Sequence, residues 1–85
     1  MIPRIVSVRH LQDYVLELVF DDGLRAEMDF REHIVGRGDL FSALEDIEYF
    51  KQLRIELDFG TIVWPNDLDF CPEMLHESAK ALADV

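Results

Sequence analysis

The segment YVLELVFDDGLRAEMDF, residues 14–30, is the strongest indication of the fold, because each of its halves carries an apolar residue at every second position. A period of two residues is typical of a strand that buries one face and exposes the other. Asp22 and Gly23 between the halves favour a type I′ turn, because both tolerate a positive φ. The stretch therefore predicts an antiparallel hairpin, whose buried face is expected to consist of Leu16, Leu18, Phe20, Leu24, Ala26, Met28 and Phe30.

Three further segments carry the strand period. RIVSVRH, residues 4–10, predicts a first strand that turns into the hairpin near Gln12 and Asp13, although Ile5 is out of phase with Val6 and Val8. LRIELDF, residues 53–59, predicts a fourth strand. Asp58, Phe59 and Gly60 make or flank a turn, and TIVW, residues 61–64, predicts a short final strand. The residues of the fourth strand that are expected to face inward are Leu53, Ile55, Leu57 and Phe59.

Helical periodicity begins directly after the hairpin. REHIVGRGD, residues 31–39, predicts one helical turn that ends at Gly36 and Gly38, because glycine commonly terminates helices. Asp39 is then in position to cap a second helix over residues 40–53, since a carboxylate accepts hydrogen bonds from the N–H groups of a helix start. Its apolar residues recur at three- and four-residue steps, and the expected buried stripe is Leu40, Phe41, Leu44, Ile47 and Phe50.

A last helix completes the predicted architecture. It is expected to begin near Pro72, because proline suits the first position of a helix, and to bury Leu75, Ala79 and Leu82. The predicted order is β-β-β-α-β-β-α in one domain that spans residues 1–85. We therefore expect an α+β fold, with helices packed on one face of a mainly antiparallel sheet.

Charge and cysteine content narrow the classes of function. Eighteen Asp and Glu residues against eight Lys and Arg residues give a net charge of −10. Such a chain repels nucleic-acid phosphates and anionic membranes, so we expect no direct nucleic-acid or membrane partner and favour a basic protein. No apolar run approaches the roughly 20 residues that span a bilayer. The single cysteine, Cys71, cannot form an intramolecular disulfide, which fits the reducing cytoplasm.

The order of these segments resembles a known family. The quoted hairpin, then LFSALEDIEYF in the second helix, then TIVWPNDLDFCPEML occur as in the small bacterial family catalogued as domain of unknown function 2442, from about Pro3 to His76. The most specific part is WPN, residues 64–66, followed by Asp69 and by Pro-Glu at residues 72–73. Where the family usually has glycine after the asparagine, this chain has Asp67, which tolerates left-handed geometry better than most residues.

The resemblance implies little about activity. Members are similar to partners in toxin–antitoxin-style gene pairs, and some carry an added helix-turn-helix domain that would bind DNA. We expect no room for such a domain in these 85 residues, so a role at DNA would come through a partner.

The segment TIVWPNDLDFCPEML, residues 61–75, allows two interpretations. In the structural one, which the sequence favours, Trp64 buries its ring, Pro65 ends strand pairing and the following polar side chains bend the backbone. In the functional one, the segment lines a shallow recognition cleft, with the candidate residues Trp64, Asn66, Asp69 and Glu73.

Metal binding and catalysis have weaker sequence support. Zinc prefers three or four nitrogen or sulfur ligands, whereas the clustered candidates near the last helix are mostly carboxylates: Asp67, Asp69, Glu73, His76 and Glu77. Cys71 lies near His76 in sequence, but no third group is evident to orient that histidine. We therefore predict no metal, no cofactor and no catalytic residue.

These observations lead to one preferred function and one alternative. We expect a non-enzymatic protein-interaction module, antitoxin-like or adaptor, that attracts a basic protein partner through Glu17, Glu27, Asp29, Glu56 and Asp58. A free edge strand would also allow a homodimer. The alternative is a small-ligand-binding or metal-dependent enzyme that uses the segment from Trp64 to His76.

Overall fold

The strands form two antiparallel sheets of three strands each in the computed structural model, which describes residues 3–83. The first sheet contains β1 (Ile5–Gln12), β2 (Val15–Phe20) and β3 (Arg25–Asp29), in that order. Three helices of one turn each follow, namely α1 (Arg31–Ile34), α2 (Phe41–Leu44) and α3 (Ile47–Phe50). The second sheet contains β4 (Arg54–Glu56), β5 (Thr61–Val63) and β6 (Asp69–Phe70), and the helix α4 (Pro72–Ala83) follows. The predicted α+β class and element order are confirmed.

The β2–β3 hairpin has the predicted buried face. Leu16 pairs with Met28, and Leu18 pairs with Ala26, with all four side chains buried. The predicted turn type is wrong, however. A type I′ turn needs positive φ at both central residues, whereas Asp22 lacks it and only Gly23 has it, at 89°. The loop instead contains three residues, because the Phe20 N–H donates to the Leu24 carbonyl over 2.8 Å.

A bulge explains the irregular pattern of β1. The register against β2 shifts between Ile5 and Ser7, so that Val6 has no direct partner. An extra residue of this kind reverses the side-chain alternation. Val6 and Ser7 are consequently both exposed, while Ile5 is buried and Val8 packs against the core.

The predicted long second helix is wrong. It divides into α2 and α3 because Asp46 adopts an extended conformation, with φ −78° and ψ 115°, and its side chain accepts a hydrogen bond from the Glu48 N–H. Aspartate favours helix starts because it bonds to nearby backbone groups. The predicted cap at Asp39 is also wrong, since Asp39 has a φ of 49° and Leu40 occupies the capping position with an exposed side chain.

The fourth strand is shorter than predicted. β4 ends at Glu56, whose carbonyl accepts hydrogen bonds from the N–H groups of Phe59 and Gly60 over 3.2 and 2.8 Å. The turn predicted around residues 58–60 is therefore present, but it begins at residue 57, where the sequence pattern predicted continued alternation. Leu57 and Phe59, which we expected to face inward, are 79% and 69% exposed.

The second sheet has one strand more than the sequence indicated. Val63 pairs with Asp69, and Ile62 pairs with Phe70. The two-residue strand β6 therefore lies between the predicted final strand and α4.

An aromatic cluster joins the sheets and helices into one core. The Trp64 ring lies 5.6 Å from Phe50 and 5.6 Å from Phe70, between ring centroids. Phe70 in turn lies 5.3 Å from Phe30, at the end of the first sheet. Edge-to-face and tilted pairs at these distances each contribute about 0.5–1.5 kcal/mol beyond the buried area.

Helix α4 covers this core with one face only. Leu75 and Ala79 are buried as predicted, but Leu82 is 53% exposed, which corrects the third predicted contact. Leu82 lies one turn beyond Ala79, beside the edge strand β3 rather than over the core. No helix within residues 3–83 is long and apolar enough to cross a membrane.

Candidate functional site

Trp64 is a core residue in this structure. Its side chain has 0% exposure, and its Nε1–H donates to the Phe50 carbonyl over 2.8 Å. A buried indole is stabilised by such a bond, because an unpaired N–H would lose its hydration. Trp64 therefore has no exposed surface with which to contact a ligand, and the structural interpretation accounts for it.

Asn66 and Asp67 form the loop between β5 and β6. The Asn66 Oδ1 accepts a hydrogen bond from the Leu68 N–H over 3.2 Å, and its Nδ2 donates to the Leu40 carbonyl over 3.0 Å. Asp67 has a φ of 69°, so the loop keeps its left-handed residue without glycine, as the sequence predicted. Both polar groups of the Asn66 amide are thus used to fasten the loop.

The other two candidate recognition residues lie apart from Trp64. Asp69 is an exposed residue of β6, and Glu73 is an exposed residue in the first turn of α4. Glu73 lines an open groove of about 640 Å³ in which neither Trp64 nor Asn66 takes part. The structure therefore does not bring the four predicted residues together as one cleft.

His76 has a partner in this groove that the sequence did not indicate. Its Nε2 lies 2.8 Å from the Asp22 Oδ2, and its ring packs edge-on against Phe20 at 4.9 Å. The backbone N–H of Leu24, and after it the His76 ring, lower the pKa of Asp22, because both favour the ionised carboxylate. The pair connects α4 to the first hairpin, and no local spacing could predict it across 54 residues.

The remaining polar residues of the groove were candidates for metal binding or catalysis. Cys71, Glu73 and Glu77 line the same groove as the His76–Asp22 pair. Within residues 3–83, however, no three His, Cys, Asp or Glu side chains are arranged to hold a metal ion. The arrangement found here is a surface contact between a helix and a hairpin.

The predicted acidic surface is divided between the two sheets. In the first sheet, Glu27 and Asp29 are exposed on β3, while Glu17 is largely covered and lies 3.5 Å from Arg9. In the second sheet, Glu56 ends β4 and the exposed Asp58 lies in the turn that follows. The five acidic residues that we predicted to face a partner therefore belong to two sheets: Glu17, Glu27 and Asp29 to the first, and Glu56 and Asp58 to the second and its following turn.

The turn at residues 57–60 carries two large exposed apolar side chains, Leu57 and Phe59. Arg4, which directly precedes β1, holds this turn: its guanidinium donates to the Leu57 carbonyl and, over 2.8 Å, to the Asp58 carbonyl. The N–H of Ile5 also donates to the Gly60 carbonyl over 2.9 Å. We call residues 57–60 the Arg4-bound turn.

Gly60 allows the close approach of Arg4. A Cβ at this position would lie 2.5 Å from the Arg4 Cβ and 2.8 Å from its Cα, and Gly60 also has a φ of 66°. Only glycine satisfies both conditions without strain. The Arg4-bound turn is therefore a constrained structure, although its apolar side chains face solvent.

Nearly the whole chain matches one protein family. The family described as "Protein of unknown function (DUF2442)" matches residues 5–81. No curated protein and no solved structure matches the chain.

Proposed function

Since the chain belongs to DUF2442, a family of proteins of unknown function, we propose its function from its own surface. It is a non-enzymatic protein-interaction module, antitoxin-like or adaptor, that binds a basic protein partner in the bacterial cytoplasm. The single cysteine and the net charge of −10 support this environment and this partner. The Arg4-bound turn is the observation that carries the proposal.

The apolar part of the argument rests on Leu57 and Phe59. Single exposed apolar residues are ordinary on protein surfaces, but here two of the most exposed ones project from the same short turn. Burying each against a partner would contribute about 1.5–3 kcal/mol. Because Arg4 already fixes the turn, binding would cost little additional ordering of the backbone.

The charged part of the argument rests on Glu56 and Asp58, which alternate with the two apolar residues. Neither carboxylate forms a salt bridge to another residue of the described range 3–83. An apolar pocket with Lys or Arg at its rim would complement this sequence of side chains. The rim charges would speed association more than they tighten binding, and added salt would weaken the effect.

The test is affinity capture of the tagged chain from its own host at low and physiological salt. The test variant Leu57→Ser/Phe59→Ser removes the apolar side chains of the Arg4-bound turn. The matched control is Val35→Ser/Leu40→Ser, because these residues are also exposed and apolar but lie elsewhere. Melting temperatures of all three proteins check that the fold is retained.

We expect one stoichiometric basic protein to be captured by the parent chain and by the control variant, less strongly at higher salt. The Leu57/Phe59 variant should lose it. Equal capture by both variants would remove the Arg4-bound turn from the interaction, and no capture by any protein at low salt would end the proposal.

A further inference from the structure

Within residues 3–83, the outer edge of β3 presents backbone groups that bond to no other strand. The first sheet has the order β1-β2-β3, so β3 is an edge strand. Two hydrogen bonds at the ends of the β2–β3 ladder show which backbone groups of β3 point toward β2. The Phe20 N–H donates to the Leu24 carbonyl, and the Phe30 N–H donates to the Tyr14 carbonyl. Alternate residues of an antiparallel strand bond to the same neighbour. The residues whose N–H and C=O point outward are therefore Arg25, Glu27 and Asp29.

A groove of about 470 Å³ runs beside this edge. Its apolar part comes from Met28 and from Leu82, the residue of α4 that is half exposed. Its polar part comes from β3 and the following helix, namely Glu27, Asp29, Arg31 and Glu32. The groove thus has an apolar side and a mainly acidic side along a strand with free hydrogen-bonding groups.

The acidic side of the groove is not neutralised by neighbouring cations. Glu27, Asp29 and Glu32 form no salt bridge within residues 3–83. Arg31, the cation of the groove, lies 4.0 Å from Asp13 and 5.2 Å from the centre of the Tyr14 ring. Residues 25–32 contain the two cations Arg25 and Arg31 and the three anions Glu27, Asp29 and Glu32. A ligand at this edge would therefore meet a small excess of negative charge.

We propose that the β3 edge binds an extended segment of a basic protein partner as an antiparallel fourth strand of the first sheet. Side chains of paired strands alternate between the two faces. Lys or Arg residues would lie beside Glu27 and Asp29 on the outer face, and the residues between them would contact the half-exposed Leu82. This inference rests on the proposed interaction role and adds a second contact surface, its pairing mode and its sequence preference.

Charge favours a basic segment over a second copy of this chain. Each copy carries a net charge of −10, so two copies repel each other at low ionic strength. A segment with alternating Lys residues reverses the sign of that interaction and still uses the same backbone hydrogen bonds.

The test uses the full chain and the synthetic peptide Lys-Val-Lys-Val-Lys-Val-Lys. In the proposed pairing the lysine amides face β3 and the valine amides face solvent. One peptide is methylated at the backbone nitrogens of its second and third lysines, and a matched one at the backbone nitrogens of its first and second valines, so both have the same charge and two methyl groups. We expect the lysine-methylated peptide to bind about tenfold more weakly, since two hydrogen bonds contribute about 1.4 kcal/mol or more, while the valine-methylated peptide binds like the parent.

Amide hydrogen exchange locates the binding. The peptide should slow exchange at Arg25, Glu27 and Asp29 but leave Ala26 and Met28, which already face β2, nearly unchanged. Glu27→Lys should weaken binding, whereas Glu77→Lys, with the same charge change on α4, should have a smaller effect.

Three results would overturn the inference. The first is equal binding of both methylated peptides, which would indicate attraction by charge alone. The second is protection of other amides. The third is concentration-dependent self-association of the free chain with protection at β3, which would assign the edge to a second copy. Loss of the captured partner in the Leu57/Phe59 variant is independent of all three, so the two proposals can fail separately.

Discussion

The β2–β3 and β5–β6 hairpins have loops of the same backbone design but different support. In the loops Phe20–Leu24 and Trp64–Leu68, the first N–H donates to the fifth carbonyl over 2.8 and 2.9 Å. In both, the third side chain, Asp22 or Asn66, accepts a hydrogen bond from the N–H two residues later. In both, the fourth residue has a positive φ, at 89° and 69°.

The two hairpins differ in the length of the strand ladder that follows the loop. Five residue pairs connect β2 and β3, whereas two pairs connect β5 and β6. The shorter hairpin is instead attached to the helical region by the Trp64 indole and the Asn66 amide, which donate to the carbonyls of Phe50 and Leu40. A long ladder positions its loop by repeated pairing, while a short one depends on individual side-chain bonds. Equivalent substitutions should therefore cost more in the second loop.

The largest expected effect is at the first residue of each loop. Phe20→Ala and Trp64→Ala should each lower the free energy of unfolding by about 3–5 kcal/mol, because both remove a buried aromatic ring. Trp64→Ala should cost about 1 kcal/mol more, since it also leaves the Phe50 carbonyl unpaired. Urea unfolding measures both, and Trp64→Phe is the variant to use if Trp64→Ala does not fold. A larger loss of stability in Phe20→Ala than in Trp64→Ala would contradict the expectation that equivalent substitutions cost more in the second loop.

The sequence predicted the first hairpin better than the turns around it. Period two at residues 14–30 reflects burial of one face, which the structure retains. The same period at Leu57 and Phe59 does not reflect burial, because the strand ends at Glu56. Arg4, 53 residues away in the sequence, fixes a turn there. Periodicity reports the average burial of a strand and carries no information about where long-range contacts end it.

The sequence predicted the local structure of the candidate site but not its long-range contacts. Burial of Trp64 and the helix start at Pro72 follow from local chemistry, and both are found. The His76–Asp22 contact and the outward edge of β3 depend on how the elements are arranged in space, for which one sequence gives no signal.

The second effect concerns the third residue of each loop. Asn66→Ala should lower the free energy of unfolding by about 1–2 kcal/mol, because it removes bonds to both Leu68 and Leu40. Asp22→Ala should cost less near neutral pH, since the ladder of β2 and β3 continues to hold the loop. Thermal and urea unfolding of the two variants give the difference. Equal losses would mean that the bond from Asn66 to Leu40 contributes no more than the contact between Asp22 and His76.

The third effect concerns the fourth residue of each loop, where the expected changes in stability have opposite signs. Gly23→Ala should destabilise the protein by about 1 kcal/mol because of the left-handed backbone alone, since no atom lies within 4 Å of the added Cβ. Asp67→Gly should stabilise the protein by about 0.5 kcal/mol. Glycine removes the cost of the left-handed backbone, and its greater freedom in the unfolded chain offsets part of that gain. Asp67→Asn removes the same charge and serves as the control. Stabilisation by Asn as large as that by Gly would assign the effect to charge instead.

The smallest effect depends on pH and is expected in the first loop only. The Leu24 N–H and the His76 ring lower the pKa of Asp22 below its ordinary value of 3.8, so its carboxylate stabilises the folded state. This contribution is complete above the unfolded pKa and is lost as the pH falls through the lower, folded pKa.

Asp22→Asn should therefore destabilise the protein slightly near pH 6, and the difference from the parent chain should shrink as the pH falls through and below 3.8, the ordinary pKa of this carboxyl. Asn66, the equivalent residue of the second loop, has no such titration, so Asp67→Asn provides the matched loss of charge there. Urea unfolding of the three proteins from about pH 6 to below pH 3.8 measures the trend. A difference at Asp22 that stays constant over this range would show that its bonds do not depend on ionisation, and the two loops would then be equivalent in this respect as well.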